Sequence, residues 1–109
     1  MMLDIDVMGD RSLSVYHHAT DSREPSPAGV VDEGGWFCLN GWVTVDDQAG
    51  GITVRIDETS VLTADGMDTL PSTGITAGDF GIAWTESGQT TAELYVDDIV
   101  IDDAPVACQ

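Results

Sequence analysis

Lysine is absent from this sequence, and three arginines (Arg11, Arg23, Arg55) stand against 20 acidic residues, for a formal charge of -17. A nucleic-acid binder displaces phosphate counterions with a basic footprint, so this balance argues against DNA and RNA as partners. Anionic membrane surfaces are disfavoured for the same reason. Long hydrophobic runs are also lacking: none approaches the ~18 residues that span a bilayer, so no membrane insertion is expected. The start, Met1-Met-Leu-Asp-Ile-Asp-Val7, has no basic stretch and no cleavage signature. No signal peptide is therefore read in this chain, which is either cytoplasmic or a segment of a longer exported protein. Cysteine is scarce. Cys38 and Cys108 lie far apart, with nothing of the Cys-x-x-Cys spacing of a zinc site. They form either one disulfide closing a long loop or two free thiols. Helical periodicity is missing throughout. So are a phosphate-cradling glycine loop, a nucleophile elbow and a Cys/His catalytic arrangement.

What is present is period-two alternation. At 109 residues and 42% hydrophobic content, with 12 glycines, the composition is that of one globular domain spanning 1–109. Six strands are expected, over residues 3–8, 12–17, 36–46, 52–58, 79–85 and 91–102, with a possible short one near 60–62. In the third, Phe37, Leu39, Val43 and Val45 share one face, and Trp36, Cys38 and Trp42 the other. The fifth sets Phe80, Ile82 and Trp84 opposite Gly81 and Ala83, so Trp84 is expected in the core. The last carries apolar residues on both faces: Leu94, Val96 and Val100 against Tyr95, Ile99 and Ile101. That pattern predicts a central strand, covered above and below, with Asp97 and Asp98 interrupting it. Residues 47–51 and 86–89 are expected as turns, the glycines supplying positive φ. Residues 18–35 and 64–78 are expected as long loops. Several strands with regular turns and no helix predict an all-β antiparallel β-sandwich.

The order of the signals resembles a known family. Trp36-Phe-Cys38, a hairpin, Ile52-Thr-Val-Arg-Ile-Asp57, Phe80-Gly-Ile82, Tyr95-Val-Asp-Asp-Ile-Val-Ile101 and a closing Cys108 are similar to the C-terminal half of the concanavalin A-like lectin/glucanase superfamily, in particular LamG-like jelly-roll domains of exported bacterial proteins. The resemblance spans roughly 35–108. It implies a jelly-roll-like sandwich, a Cys38–Cys108 disulfide and an extracellular or cell-surface parent. It also implies that 1–109 is the C-terminal portion of a larger domain, whose open sheet edges invite a homodimer. Asn40 stands where members often carry Glu, and Glu58 where a Gly would make the usual tight turn.

Three chemistries follow as expectations. Trp36 and Trp42, with Asn40 between them, are candidate glycan contacts, because sugar rings stack on aromatics and amides take hydroxyls. Packing into a second layer is the bland alternative for both tryptophans. Ca2+ is the candidate metal. Relatives of this type hold calcium with an Asp of the last strand, which implies Asp97 or Asp98, joined by Asp4, Asp6 or Asp10. Turn and edge capping is the alternative there. The catalytic reading is the weakest. The glucanase pattern Glu-x-Asp-x-x-Glu finds only Asp4-Ile-Asp-Val-Met-Gly9, with no acid at its last position and Asp10 out of register. His17, His18 and Asp21 read as a surface group. The expected function is thus a non-catalytic carbohydrate- or protein-ligand-binding module. A structural or adhesive spacer, or a remnant of a polysaccharide-degrading enzyme, is the alternative. The acidity fits cation binding or a proteome-wide bias in a salt-adapted organism equally well.

Overall fold

The computed structural model of the chain describes residues 3–82, 84–89 and 91–109. Among them there is no helix, and six strands form two three-stranded antiparallel sheets. The first sheet holds β1 (Leu3–Val7), β2 (Leu13–His17) and β3 (Ser22–Pro25). The second holds β4 (Leu39–Thr44), β5 (Gly50–Ile56) and β6 (Thr59–Met67). Each sheet is a meander in chain order, with β2 and β5 central. The all-β sandwich is as expected. No jelly-roll crossing is seen among the described strands.

Alternation decides which face each strand buries. Leu13 and Val15 of β2 meet Ile52 and Val54 of β5 and Leu62 and Ala64 of β6, with Val31 closing one side. Leu3, Ile5, Phe37, Val43 and Ile56 pack against this layer. Leu13, Val15 and Val54 are at most 1% exposed. Complete burial of one such side chain stabilises by about 1.5–3 kcal/mol.

The turns are set by particular residues. Asp57 and Glu58, at φ 48° and 67°, make the two-residue hairpin between β5 and β6. Positive φ at both positions is the turn geometry that matches strand twist. Between β4 and β5 the expected glycine chemistry is corrected. Asp46 Oδ1 accepts from the backbone N–H groups of Gln48 (2.8 Å) and Ala49 (2.7 Å). Those two bonds, Gln48 first, hold its carboxyl below the usual range. Gly50 instead makes room: a Cβ there would lie 2.0 Å from Thr69 Oγ1. Thr69 is 1% exposed, donates to Thr44 O (2.7 Å) and accepts from Asp46 N (3.0 Å). It thus ties the end of β6 to the β4–β5 hairpin.

Six readings of the sequence are overturned. Residues 18–35 are not one loop, since β3 lies within them, and 64–78 begins inside β6. β4 is shorter than 36–46, starting at Leu39. Residues 79–85 and 91–102 form no strand among the described positions. Trp84 is 77% exposed and not core, and Ile101 is 80% exposed. Ala83, expected across from Trp84, lies outside the described residues. The physical reason is that a strand needs a neighbouring ladder and a face to cover. The interior of the sandwich is already filled by β2, β5 and β6. The turn at 86–89 does form, with Gln89 N donating to Glu86 O (3.2 Å).

Candidate functional site

β4 is an edge strand, and the C-terminal residues return to it. On the face towards the first sheet, Val43 packs against the core and Gly41 admits Ile5: a Cβ at Gly41 would lie 3.2 Å from Ile5 Cδ1. Leu39, at the strand start, is 46% exposed. Asn40, Trp42 and Thr44 alternate outward. Three ties bring the other wall. Cys38 and Cys108 are joined by a disulfide, Cα atoms 5.9 Å apart. Asn40 Nδ2 donates to Val106 O at 2.7 Å. The Glu58 carboxylate accepts from the Cys108 N–H. Asp57 Oδ1 also accepts from Cys38 N at 2.9 Å, fixing the strand end that carries the disulfide.

Positions rise along β4 while they fall along the returning segment, so the two run antiparallel. Further on, Ile101, Asp102 and Asp103 lie beside Trp42, Val43 and Val45. With Ile75 they enclose a cleft of about 430 Å³. Its lining combines one indole, four aliphatic side chains and two acidic residues. Asp102 Oδ1 accepts from Ala104 N (3.3 Å), which turns the chain there. Arg55, opposite Asn40 in the ladder, is not among the cleft residues.

The expected ligand residues are separated by the fold. Trp42 lines the cleft and is 39% exposed. Trp36 is 74% exposed and lies ahead of β4, outside its ladder and outside the cleft. The Asn40 amide is spent on Val106, so it holds the wall and does not face a ligand with that group. Asp102, Asp103, Val45, Ile75 and Ile101 were not anticipated. Only the disulfide spacing implied by the resemblance could have drawn residues 101–103 towards Trp42.

Asp97 and Asp98 are exposed, and Asp98 has φ 51°. Asp97 Oδ1 accepts from Asp98 N at 2.9 Å, a local turn that bends the segment between its two apolar halves. Calcium takes six to eight oxygens. Among the described residues no three His, Cys, Asp or Glu side chains gather as a metal cluster. Asp4, Asp6 and Asp10, the expected co-ligands, are occupied elsewhere. His18 Nε2 lies 2.7 Å from Asp4 Oδ2, and Arg23 Nη1 lies 2.7 Å from Asp6 Oδ2. Asp10 Oδ1 accepts from Ser12 Oγ (2.6 Å) and Ser12 N (3.0 Å), and these bonds, the hydroxyl first, lower its pKa.

The outer face of the first sheet carries a polar network. Asp4, Tyr16 and Arg23 form one cross-strand row. The Arg23 guanidinium sits 4.9 Å from the Tyr16 ring centroid, and the His18 ring meets Tyr16 edge-on at 4.5 Å. Tyr16 Oη donates to Asp21 Oδ1 at 2.5 Å, and that carboxylate raises the phenol above its usual pKa. His17 faces the other way. It is 3% exposed, and its ring nitrogens bond Thr20 Oγ1 and Asp68 O, each at 2.7 Å. The two histidines thus point to opposite sides of the sheet.

No protein-family model, no curated protein and no solved structure matches this chain.

Proposed function

We propose that this chain is a non-catalytic binding module for a glycan, with the cleft beside β4 as its site. The observation that carries the reading is that cleft, whose lining brings Trp42 together with Ile75, Ile101, Asp102 and Asp103. An indole accepts the C–H face of a sugar ring, and carboxylates accept its hydroxyls. Two further facts support the non-catalytic part. Asp4 and Asp6 are each engaged by a basic side chain, and Gly9 stands where the glucanase pattern has its acid. The disulfide is compatible with an exported LamG-like parent, since such bonds persist in oxidising compartments. Calcium on Asp97 or Asp98 belongs to the same proposal. It would need further oxygens from backbone or water, and a rise in unfolding temperature on adding calcium, reversed by EDTA, is its test.

The binding test is a glycan array probed with the oxidised protein. Specific binding lost in Trp42→Ala and kept in Trp36→Ala supports the reading. An array with no binders, or binding indifferent to Trp42, overturns it.

A second reading, a protein-contacting or adhesive module, is favoured by one separate observation. Tyr95, Ile99, Val100 and Ile101 are all more than half exposed within a few residues. Apolar exposure that dense marks protein-contact surfaces. Loss of partner capture or self-association in Ile99→Ser with Ile101→Ser would carry that reading.

A further inference from the structure

We infer that the cleft selects glycans bearing protonated amines, such as de-N-acetylated amino sugars, over neutral and acidic ones; this rests on the glycan reading above. The cleft residues include two carboxylates, Asp102 and Asp103, and no Lys, Arg or His. An acidic glycan would bring like charge against both. A neutral one would leave them to accept hydroxyl bonds alone. An ammonium group on the ring meets two carboxylates and the indole of Trp42 within one cleft. Cation–π attraction to Trp adds to the charge pairing. The rest of the molecule acts in the same direction. With -17 overall and no lysine, its field concentrates cations and repels anions before contact. Arg23 is held by Asp6 on the other sheet, and Arg55, which shares the outer face with Trp42, is not among the cleft residues.

A protein this acidic also adsorbs polycations without a site, so the experiment separates the two. Calorimetric titration is run with a glucosamine tetramer, its N-acetylated counterpart, a galacturonic acid tetramer and a lysine tetramer, in mildly acidic buffer. The expected result is a preference for the amine tetramer over the N-acetylated one of about tenfold or more, no binding of the acidic one, and weaker binding of tetralysine. Asp102→Asn with Asp103→Asn abolishes the preference and leaves weak Trp42-dependent binding. Asp32→Asn with Glu33→Gln, the same charge change on an exposed loop, leaves the preference intact. Circular dichroism of each variant checks the fold. Equal or tighter binding of the N-acetylated tetramer overturns the inference and leaves the glycan reading standing. Tetralysine binding equal to the amine sugar, or a preference lost equally in the loop variant, reduces it to bulk charge and overturns it. No binding of any oligosaccharide overturns both.

Discussion

Residues 3–69 and 70–109 have similar strand-like alternation and opposite fates. In the first region the alternating apolar faces close on each other, and Leu13, Val15 and Val54 are sealed from water. Buried polar groups there are bonded: Ser14 accepts from Arg23, His17 donates to the Asp68 carbonyl and pairs with the Thr20 hydroxyl, and Thr69 joins two strand ends. In the second region the backbone bonds outside the ladders are isolated turns, Gly74 to Pro71 and Gln89 to Glu86. Phe80, Trp84, Tyr95 and Ile101 remain more than half exposed. The second region is tied near its far end by the disulfide, Asn40 and Glu58, and none of its described residues joins the buried core. The radius of gyration, 14.1 Å, is slightly above the ~13 Å of a compact chain this long. Alternation makes a segment able to be a strand. Only an adjacent edge and an uncovered face make it one.

The contrast is broken most sharply by matched truncations. Leu13→Ala should cost about 2–5 kcal/mol in urea unfolding, as buried leucines do. Ile101→Ala, at an 80% exposed site, should stay within about 0.5 kcal/mol. A large loss at Ile101 would mean that the second region is packed in solution.

Gly50→Ala comes next. Its Cβ would fall on Thr69 Oγ1 and within 2.9 Å of the Met67 and Thr44 carbonyls. Backbone carbonyls cannot swing aside as a flexible side chain can, so about 1–3 kcal/mol of destabilisation is expected from thermal or urea unfolding. Gly78→Ala, with open space around it, should change little.

Cys38→Ser with Cys108→Ser sharpens the comparison. The sequence separation is 70, and a loop of that size stabilises by about 4 kcal/mol when only the unfolded chain is constrained. Here residues 70–107 are loosely held in the folded state too, so folding gains less from the cross-link. The expected loss is well below that ceiling, with protease cleavage accelerated inside 70–107 and β1 to β6 still protected. A loss near the full value would show the second region ordered in the native state.

The smallest effect is on the acid side. The Asp46 carboxyl is lowered by the Gln48 and Ala49 N–H groups. A depressed acid contributes stability in full above its unfolded value, about 3.9, and loses it as pH falls through the lower folded value. Asp46→Ala should therefore lower stability near neutral pH and flatten the acid limb of the pH–stability curve. An unchanged limb would show the turn held by other bonds.

Much of the first region was legible. β1, β2 and β5 follow from alternation of Leu3, Ile5, Val7, of Leu13, Val15, His17 and of Ile52, Val54, Ile56. β3 was hidden because Ser22-Arg-Glu-Pro25 is exposed throughout and carries no apolar face to read. β6 was cut short because Gly66, at φ 68°, and the register shift beside Gly50 and Gly51 break its period. Of the site, Trp42 was legible as an aromatic on the strand face opposite Leu39 and Val43, with packing into a second layer left open. Its cleft neighbours were not, because Ile75 and Ile101 reach it from distant positions in sequence. Asn40 was legible as polar, but its partner, the Val106 carbonyl, has no sequence signature at all.

By itself the sequence determined the all-β class, the facing of β1, β2 and β5 and a field that repels anions. Those depend on local periodicity and on summed charge, each of which survives without coordinates. Tertiary structure decided which alternating segments became strands, where the C-terminal residues run and which carboxylates share a cleft with Trp42. Edges, faces and free space are properties of the assembled sandwich, and a strand-like segment acquires a role only from what stands beside it.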